Sequence, residues 1–228
     1  MFENATVNRT EFPSQPVRIS GFEARGCLFE NCTLAAVGPP GIYSHIASAR
    51  LIACRQHASG VSGAILDDVI IEGLGRVGRM PLFLSAVVFR HVELRGAISF
   101  FKLGPAAQVT ATSQQTAKWI EAHSSFYRSV DWALDISRAE FTFGPDLHFV
   151  PGHLIRRDPE SQVLVRRRRL EGAAWRELPW GSSIKLAIQW FLEDGPFDSA
   201  VLVAARRTKA FATERAALEM LRSEGLAE

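Results

Sequence analysis

From Val17 to Ala36 the chain reads Val17-Arg-Ile-Ser-Gly21, Phe22-Glu-Ala-Arg-Gly26, Cys27-Leu-Phe-Glu-Asn31 and Cys32-Thr-Leu-Ala-Ala36, four consecutive units of five residues. The first position of each unit is Val17, Phe22, Cys27 or Cys32, and the third is Ile19, Ala24, Phe29 or Leu34. An apolar pair at i and i+2 repeated every five residues does not follow the 3.6-residue turn of a helix. Nor does it suit an unbroken strand, because an odd period moves the apolar set to the opposite face at each repeat. The chain has to turn between units.

Working outward, the same phase returns in Ala64-Ile-Leu66 and Val69-Ile-Ile71, then in Leu82-Phe-Leu84, Val87-Val-Phe89, Val92-Glu-Leu94 and Ala97-Ile-Ser99, and again in Leu134-Asp-Ile136 and Ala139-Glu-Phe141. It is interrupted between residues 34 and 51, 71 and 84, and 99 and 136. Gly38-Pro39-Pro40-Gly41 and Gly73 to Gly78 read as loops in the first two gaps. In the third, Ala117, Ile120, His123 and Tyr127 are spaced for a helix within 113–127. One small and one large inward residue per unit would fill a narrow cross-section, and stacked turns of chain would bury a ladder that a single turn leaves exposed.

Units such as Val17-Arg-Ile19-Ser-Gly21, Val92-Glu-Leu94-Arg-Gly96 and Ala139-Glu-Phe141-Thr-Phe143 resemble the pentapeptide-repeat family, over roughly residues 17–143 in four blocks. The resemblance implies a mainly β chain wound into a right-handed, four-sided parallel β-helix, with about four repeats per coil. It would point the central residues, Leu66, Ile71, Phe89 and Leu94 among them, inward beside the small ones, Cys27, Cys32, Ala64 and Val69 among them. Some members of that family shield DNA topoisomerases by presenting an acidic, DNA-like rod. Residues 1–150 carry 13 Lys/Arg and 13 Asp/Glu, a balance that argues against such a rod.

Beyond Pro145 the character changes. Val163-Leu-Val165 reads as a short strand entering Arg166-Arg167-Arg168-Arg169, and Ala200 to Val203 reads as a buried strand. Ser182 and Ser183 precede Ile184, Ala187, Ile188, Phe191 and Leu192, an amphipathic helical stripe closed by Gly195-Pro196. Thr213 is placed to cap a last helix carrying Ala217, Leu218 and Leu221. The expected organisation is a repeat region over 1–150 and an α/β capping region over 151–228 that covers the open end of the stack.

The chain has 228 residues, 47% of them hydrophobic and 22% charged, with a formal net charge of +2, which excludes disordered and fibrous classes. No region is strongly basic, so nucleic acid is not an expected partner, and no apolar run reaches the length of a membrane span. The N-terminus lacks a basic stretch followed by an apolar one, and the three cysteines, Cys27, Cys32 and Cys54, form an odd set. A cytoplasmic chain with reduced, core-packed thiols is expected.

Four candidate sites stand out. Gly73-Leu-Gly75-Arg-Val-Gly78 matches a dinucleotide-binding glycine pattern, but it needs a helix behind it and Pro81 follows instead. The Arg166 to Arg169 run reads as a solvated face or as ion pairs between cap and repeats, and with Trp175 and Trp180 nearby it could instead meet an acidic partner. His148 and His153, flanked by Asp146 and Asp158, are loosely compatible with a metal or acid–base site. Asp67-Asp68 is an adjacent acidic pair at polar repeat positions and reads as a solvated corner.

No catalytic constellation emerges, and no cofactor or metal is expected. The reading is a non-enzymatic, protein-binding scaffold, a bacterial immunity, resistance or regulatory factor, with a homodimer among its possible assemblies. The alternative is an enzyme that binds a small molecule or nucleotide through the Gly73 to Gly78 loop or the His148/His153 region.

Overall fold

In the computed structural model, which describes residues 1–8, 15–35, 39–107, 111–179 and 182–228, the chain is mainly β. Its five-residue period is written in the backbone. Left-handed φ values between +46° and +75° fall at Gly21, Gly26 and Asn31, then at Ser48, Ala53, Ala58, Gly63, Asp68, Gly73 and Gly78, then at Ala86, His91 and Gly96. Within each series the corners are five residues apart. After most corners the first and third residues turn inward: Val69 and Ile71 after Asp68, and Val92 and Leu94 after His91, are all buried. Cys27 and Cys54 occupy the first of these slots and are fully buried, Cys32 is partly so, and all three are free thiols.

Between the corners lie the strands. The early ones are short: β1 (Phe2–Glu3), β2 (Thr6–Asn8), β3 (Arg18–Ser20), β4 (Glu23–Arg25), β5 (Leu28–Glu30) and β6 (Thr33–Ala35). The later ones mostly run across a corner: β7 (Ser44–Ala47), β8 (Arg50–His57), β9 (Gly60–Asp67), β10 (Ile70–Arg76), β11 (Leu82–Arg90), β12 (Val92–Ile98), β13 (Phe101–Gly104) and β14 (Leu134–Phe141), followed by the short β15 (Ile155–Arg156). They form two sheets. One is ordered β1-β4-β8-β10-β12-β14-β15, with β5 on β8 and β2 on β5, and the other β13-β11-β9-β7-β3, with β6 on β9. From β7 to β13 the chain alternates between them, and the pairing is parallel in both. Ala24 lies beside Leu51, Leu51 beside Ile71 and Ile71 beside Leu94. The inward residues of the two sheets meet in one core that contains Leu66, Phe89, Leu94, Ile98 and Phe141.

Two of the expected gaps narrow: Pro39 to Gly41 form the expected turn, and Gly38 lies outside the described residues. The phase resumes at β7, and it is hidden in the sequence because the inward slots after Ala53 and Ala58 hold Gln56 and Ser59. These buried polar groups are satisfied by neighbouring layers: Gln56 donates to the Met80 carbonyl at 3.1 Å, and Ser59 donates to the Phe29 carbonyl at 3.1 Å. Gly73 and Gly75 are not loop residues, since β10 runs through both.

The third gap holds the expected helix, α1 (Ser113–Tyr127), opened by a Thr112–Gln115 capping box. Its buried face is Trp119, His123 and Tyr127 rather than Ala117 and Ile120, and it covers the outer side of β11, where Ala86 meets Trp119. β13 pairs only with the first half of β11. Beyond it the Phe89 amide donates to the Tyr127 hydroxyl at 3.2 Å, replacing the missing ladder bond.

An antiparallel ribbon, β16 (Gln162–Arg166) and β17 (Ser199–Val203), closes the far end. Both of its faces are buried. Leu164, Val201 and Val203 join the core of the sheets. Val163, Val165 and Leu202 join a second core with Ile184, Ile188 and Phe191 of α3 (Ser182–Asp194) and Leu218 and Leu221 of α4 (Phe211–Ser223). Thr213 does not cap α4: the helix starts at Phe211 without a side-chain cap, and Glu214 in its first turn accepts the Ala205 amide at 3.0 Å. After β16 the arginine run leaves extended structure for a single helical turn, α2 (Arg167–Leu170). No helix among the described residues is long and apolar enough to cross a membrane.

Candidate functional site

A cleft of about 410 Å³ opens between α3, the outer end of β17 and the segment that leaves β14 at Phe143. Its origin lies in the pattern of α3. Ile184, Ile188 and Phe191 take the buried stripe, which leaves Leu186 and Trp190, one turn apart, on a flank. Leu186 and Trp190 are 42% and 40% exposed, and Phe143, which also lines the cleft, is 55% exposed. Large apolar side chains this accessible around one concavity are what an anchor pocket for a partner presents.

The cleft has few polar groups. His148 is buried, with Nδ1 against the Asp146 carboxylate and its ring 4.2 Å from that of Phe149. Ser183 donates its hydroxyl to Glu214 Oε1 at 3.0 Å, so Glu214 ties the starts of α3 and α4 together and is already engaged on both oxygens. A carboxylate on Nδ1 fixes the imidazole's orientation, as in sites where a histidine exchanges protons or accepts a ligand's hydrogen bond.

The other candidates fare unevenly. His153 is exposed and contacts Ser199 Oγ at 3.4 Å, while Asp158 pairs with Arg206 and Ser161. Of the four groups suspected of forming a metal or acid–base site, only Asp146 and His148 are in contact. The glycine pattern does not open a helix: β11 is the next element after Gly78, so the helix terminus that a dinucleotide phosphate requires is missing from this position.

The arginine run is mostly spent within the cap. Arg166 and Arg169 reach the Glu228 carboxylate at 2.9 and 3.2 Å, and Arg166 holds that carboxyl below its usual range. Arg167 donates to the carbonyls of Leu192, Phe191 and Gly195 at 2.8, 2.9 and 2.6 Å, closing the C-terminal end of α3. Arg168 is exposed and has no ion pair among the described residues. Trp175 is 1% exposed and belongs to the second core, so it has no ring to offer a partner. Trp180 lies outside the described residues.

The Asp67-Asp68 corner is more structured than a solvated pair. Asp67 is buried between Arg90, whose guanidinium it accepts and which lowers its pKa most, and His45 Nε2 at 3.0 Å. Asp68, Asp67 and His91 lie close enough together to share a cation, yet Arg90 already neutralises Asp67. The residues that sequence reasoning missed are Leu186, Trp190 and Phe143. The available signal was that Leu186 and Trp190 sit four apart and outside the buried stripe of their own helix.

No family model matches this chain, and no curated protein and no solved structure is found to be similar to it.

Proposed function

We propose that the protein is a non-enzymatic scaffold that binds another protein, and that it does so through the cleft of its cap rather than through the arginine run. The observation that carries this reading is the trio of exposed large apolar residues, Phe143, Leu186 and Trp190, on a single concavity. The occupant this chemistry favours is an aromatic or branched apolar side chain of a partner segment, seated beside Trp190. In the same reading the two sheets are walls of a right-handed, four-sided parallel β-helix of pentapeptide-repeat type. The five-residue spacing of left-handed corners supports four short sides per coil, as does the 20-residue step from Leu51 to Ile71. Such a stem holds the cap rigidly, which suits an immunity, resistance or regulatory factor acting on one partner in a reducing cytoplasm.

The test is affinity capture from the native host with wild type, Trp190→Ala and Leu186→Asp, followed by titration of the purified partner. Trp190→Ala should weaken the identified partner by at least about tenfold, the scale of an aromatic hot spot, with the circular dichroism spectrum unchanged. Equal recovery and equal affinity of all three proteins would overturn the reading. Replacing Arg166 to Arg169 with serine tests the arginine run separately.

The buried His148, oriented by Asp146, favours a second reading, in which the cleft takes a small apolar molecule that hydrogen-bonds to the imidazole. Its volume is within the range of such sites. His148→Phe would abolish small-molecule binding while leaving the capture of a protein anchored on Trp190 intact.

A further inference from the structure

A second concavity lies on the sheet of β8, β10 and β12. Arg55 of β8 pairs with Gly75 of β10, and on the other side the Ser99 amide donates to the Leu74 carbonyl at 2.8 Å. The row Arg55, Gly75, Ser99 therefore has no side chain at its centre. The resulting groove, about 410 Å³, has Gly73 and Gly75 on its floor and Arg55, Arg76, Ser99 and Thr142 around it. A Cβ on Gly75 would stand 3.1 Å from Arg55 Cγ, so a larger residue there would push aside the stem of that arginine where it crosses the strand.

Two further observations point to a ligand. Ser99 is 7% exposed, and its hydroxyl is buried without a hydrogen-bond partner among the described residues. A buried hydroxyl left in this state costs stability, so it calls for a role. Arg55 and Arg76 are exposed and have no carboxylate partner among the described residues. Arg90, Arg95 and Arg138, by contrast, each hold one. Arg76 reaches only the Arg79 carbonyl, at 3.0 Å. Glu140, beside Ala97 in the ladder, is paired with Arg207 at 3.6 Å.

We propose that this groove binds the phosphate group of a small phosphate monoester. Two guanidinium groups supply charge and paired donors, the hydroxyls of Ser99 and Thr142 supply two more, and a tetrahedral dianion has the acceptors to meet them. The bare glycine strand lets the anion approach the backbone, and Ala97 leaves room for a small organic group. This differs from a dinucleotide site, because side chains on a sheet receive the phosphate and no helix terminus takes part.

The experiment is isothermal titration of the intact protein with phenyl phosphate, inorganic phosphate and benzoate. Phenyl phosphate should saturate one site and benzoate should not. Arg55→Ser, Gly75→Val and Ser99→Ala should each weaken phenyl phosphate by about tenfold or more. Ser99→Ala should also raise the denaturation midpoint of the free protein, because it removes an unpaired buried hydroxyl, and so it stays informative if Gly75→Val disturbs the fold. The proposal is overturned by no saturation up to about 10 mM, by equal binding of benzoate, or by wild-type affinity in Ser99→Ala and Arg55→Ser. Trp190→Ala should leave this titration unchanged, so failure here and failure of the cleft are distinguishable.

Discussion

His91 stands at a left-handed corner with both ring nitrogens on carboxylates, Nε2 at 2.7 Å from Asp131 and Nδ1 at 3.2 Å from Asp68. Its ring stacks on Trp132, whose other contact is the Arg156 guanidinium, 4.1 Å from the ring centroid. The hydrogen bond that the ring donates to Asp131, and then the one to Asp68, raises the histidine's pKa against the opposing effect of desolvation. A folded-state pKa above the unfolded value of about 6.5 contributes stability that is complete below pH 6.5 and disappears as pH rises through the folded value. His91→Asn retains a residue that tolerates the left-handed corner. Its urea midpoint should fall below that of wild type at about pH 5.5, and the difference should shrink towards zero by about pH 9. A difference that does not vary with pH would mean that the ring acts by stacking alone.

Corners are the recurring element, and they are tolerant in an uneven way. Gly21 has φ +66°, and nothing lies within 4 Å of where its Cβ would be. Gly21→Ala therefore isolates backbone strain from steric clash, and chemical denaturation should show a loss of about 1 kcal/mol. The chain already bears that strain at Ala53, Ala58 and Ala86. This explains why the corners were only partly legible in the sequence. Where a unit ends in Gly or Asn and its inward slots are apolar, as from Val17 to Asn31, the period is plain. Where the corner is Ala58 and the slots hold Gln56 and Ser59, nothing in residue type announces it, because hydrogen bonds to the Met80 and Phe29 carbonyls replace burial of carbon. The cap was legible where periodicity decides, in α3 and β17. Where pairing decides, the sequence left the arginine run open between internal ion pairs and a partner; it closes α3 and binds Glu228, contacts between residues far apart in sequence. The candidate cleft was missed because Leu186 and Trp190 matter by what they leave uncovered.

At the scale of the whole molecule, order runs along the stack. β10 and β12 have a strand on each side, whereas β1 pairs on one side only among the described residues. Hydrogen exchange followed by mass spectrometry should therefore find the slowest amides in β10 and β12 and the fastest in β1 and β2. Uniform protection would contradict a ladder that opens from its end. The stack is also indifferent to how far the chain travels between successive layers. Leu51 meets Ile71 after 20 residues, Ala24 meets Leu51 after 27, and Val92 meets Leu134 after 42. Closing a longer excursion adds only about 0.6 kcal/mol per doubling of its length, while the register of the ladder fixes where the chain re-enters. Such an architecture is a chassis for cargo: its exits after β10 and β13 are natural grafting points, where new segments can be carried on the flank without rewriting the strands that carry them.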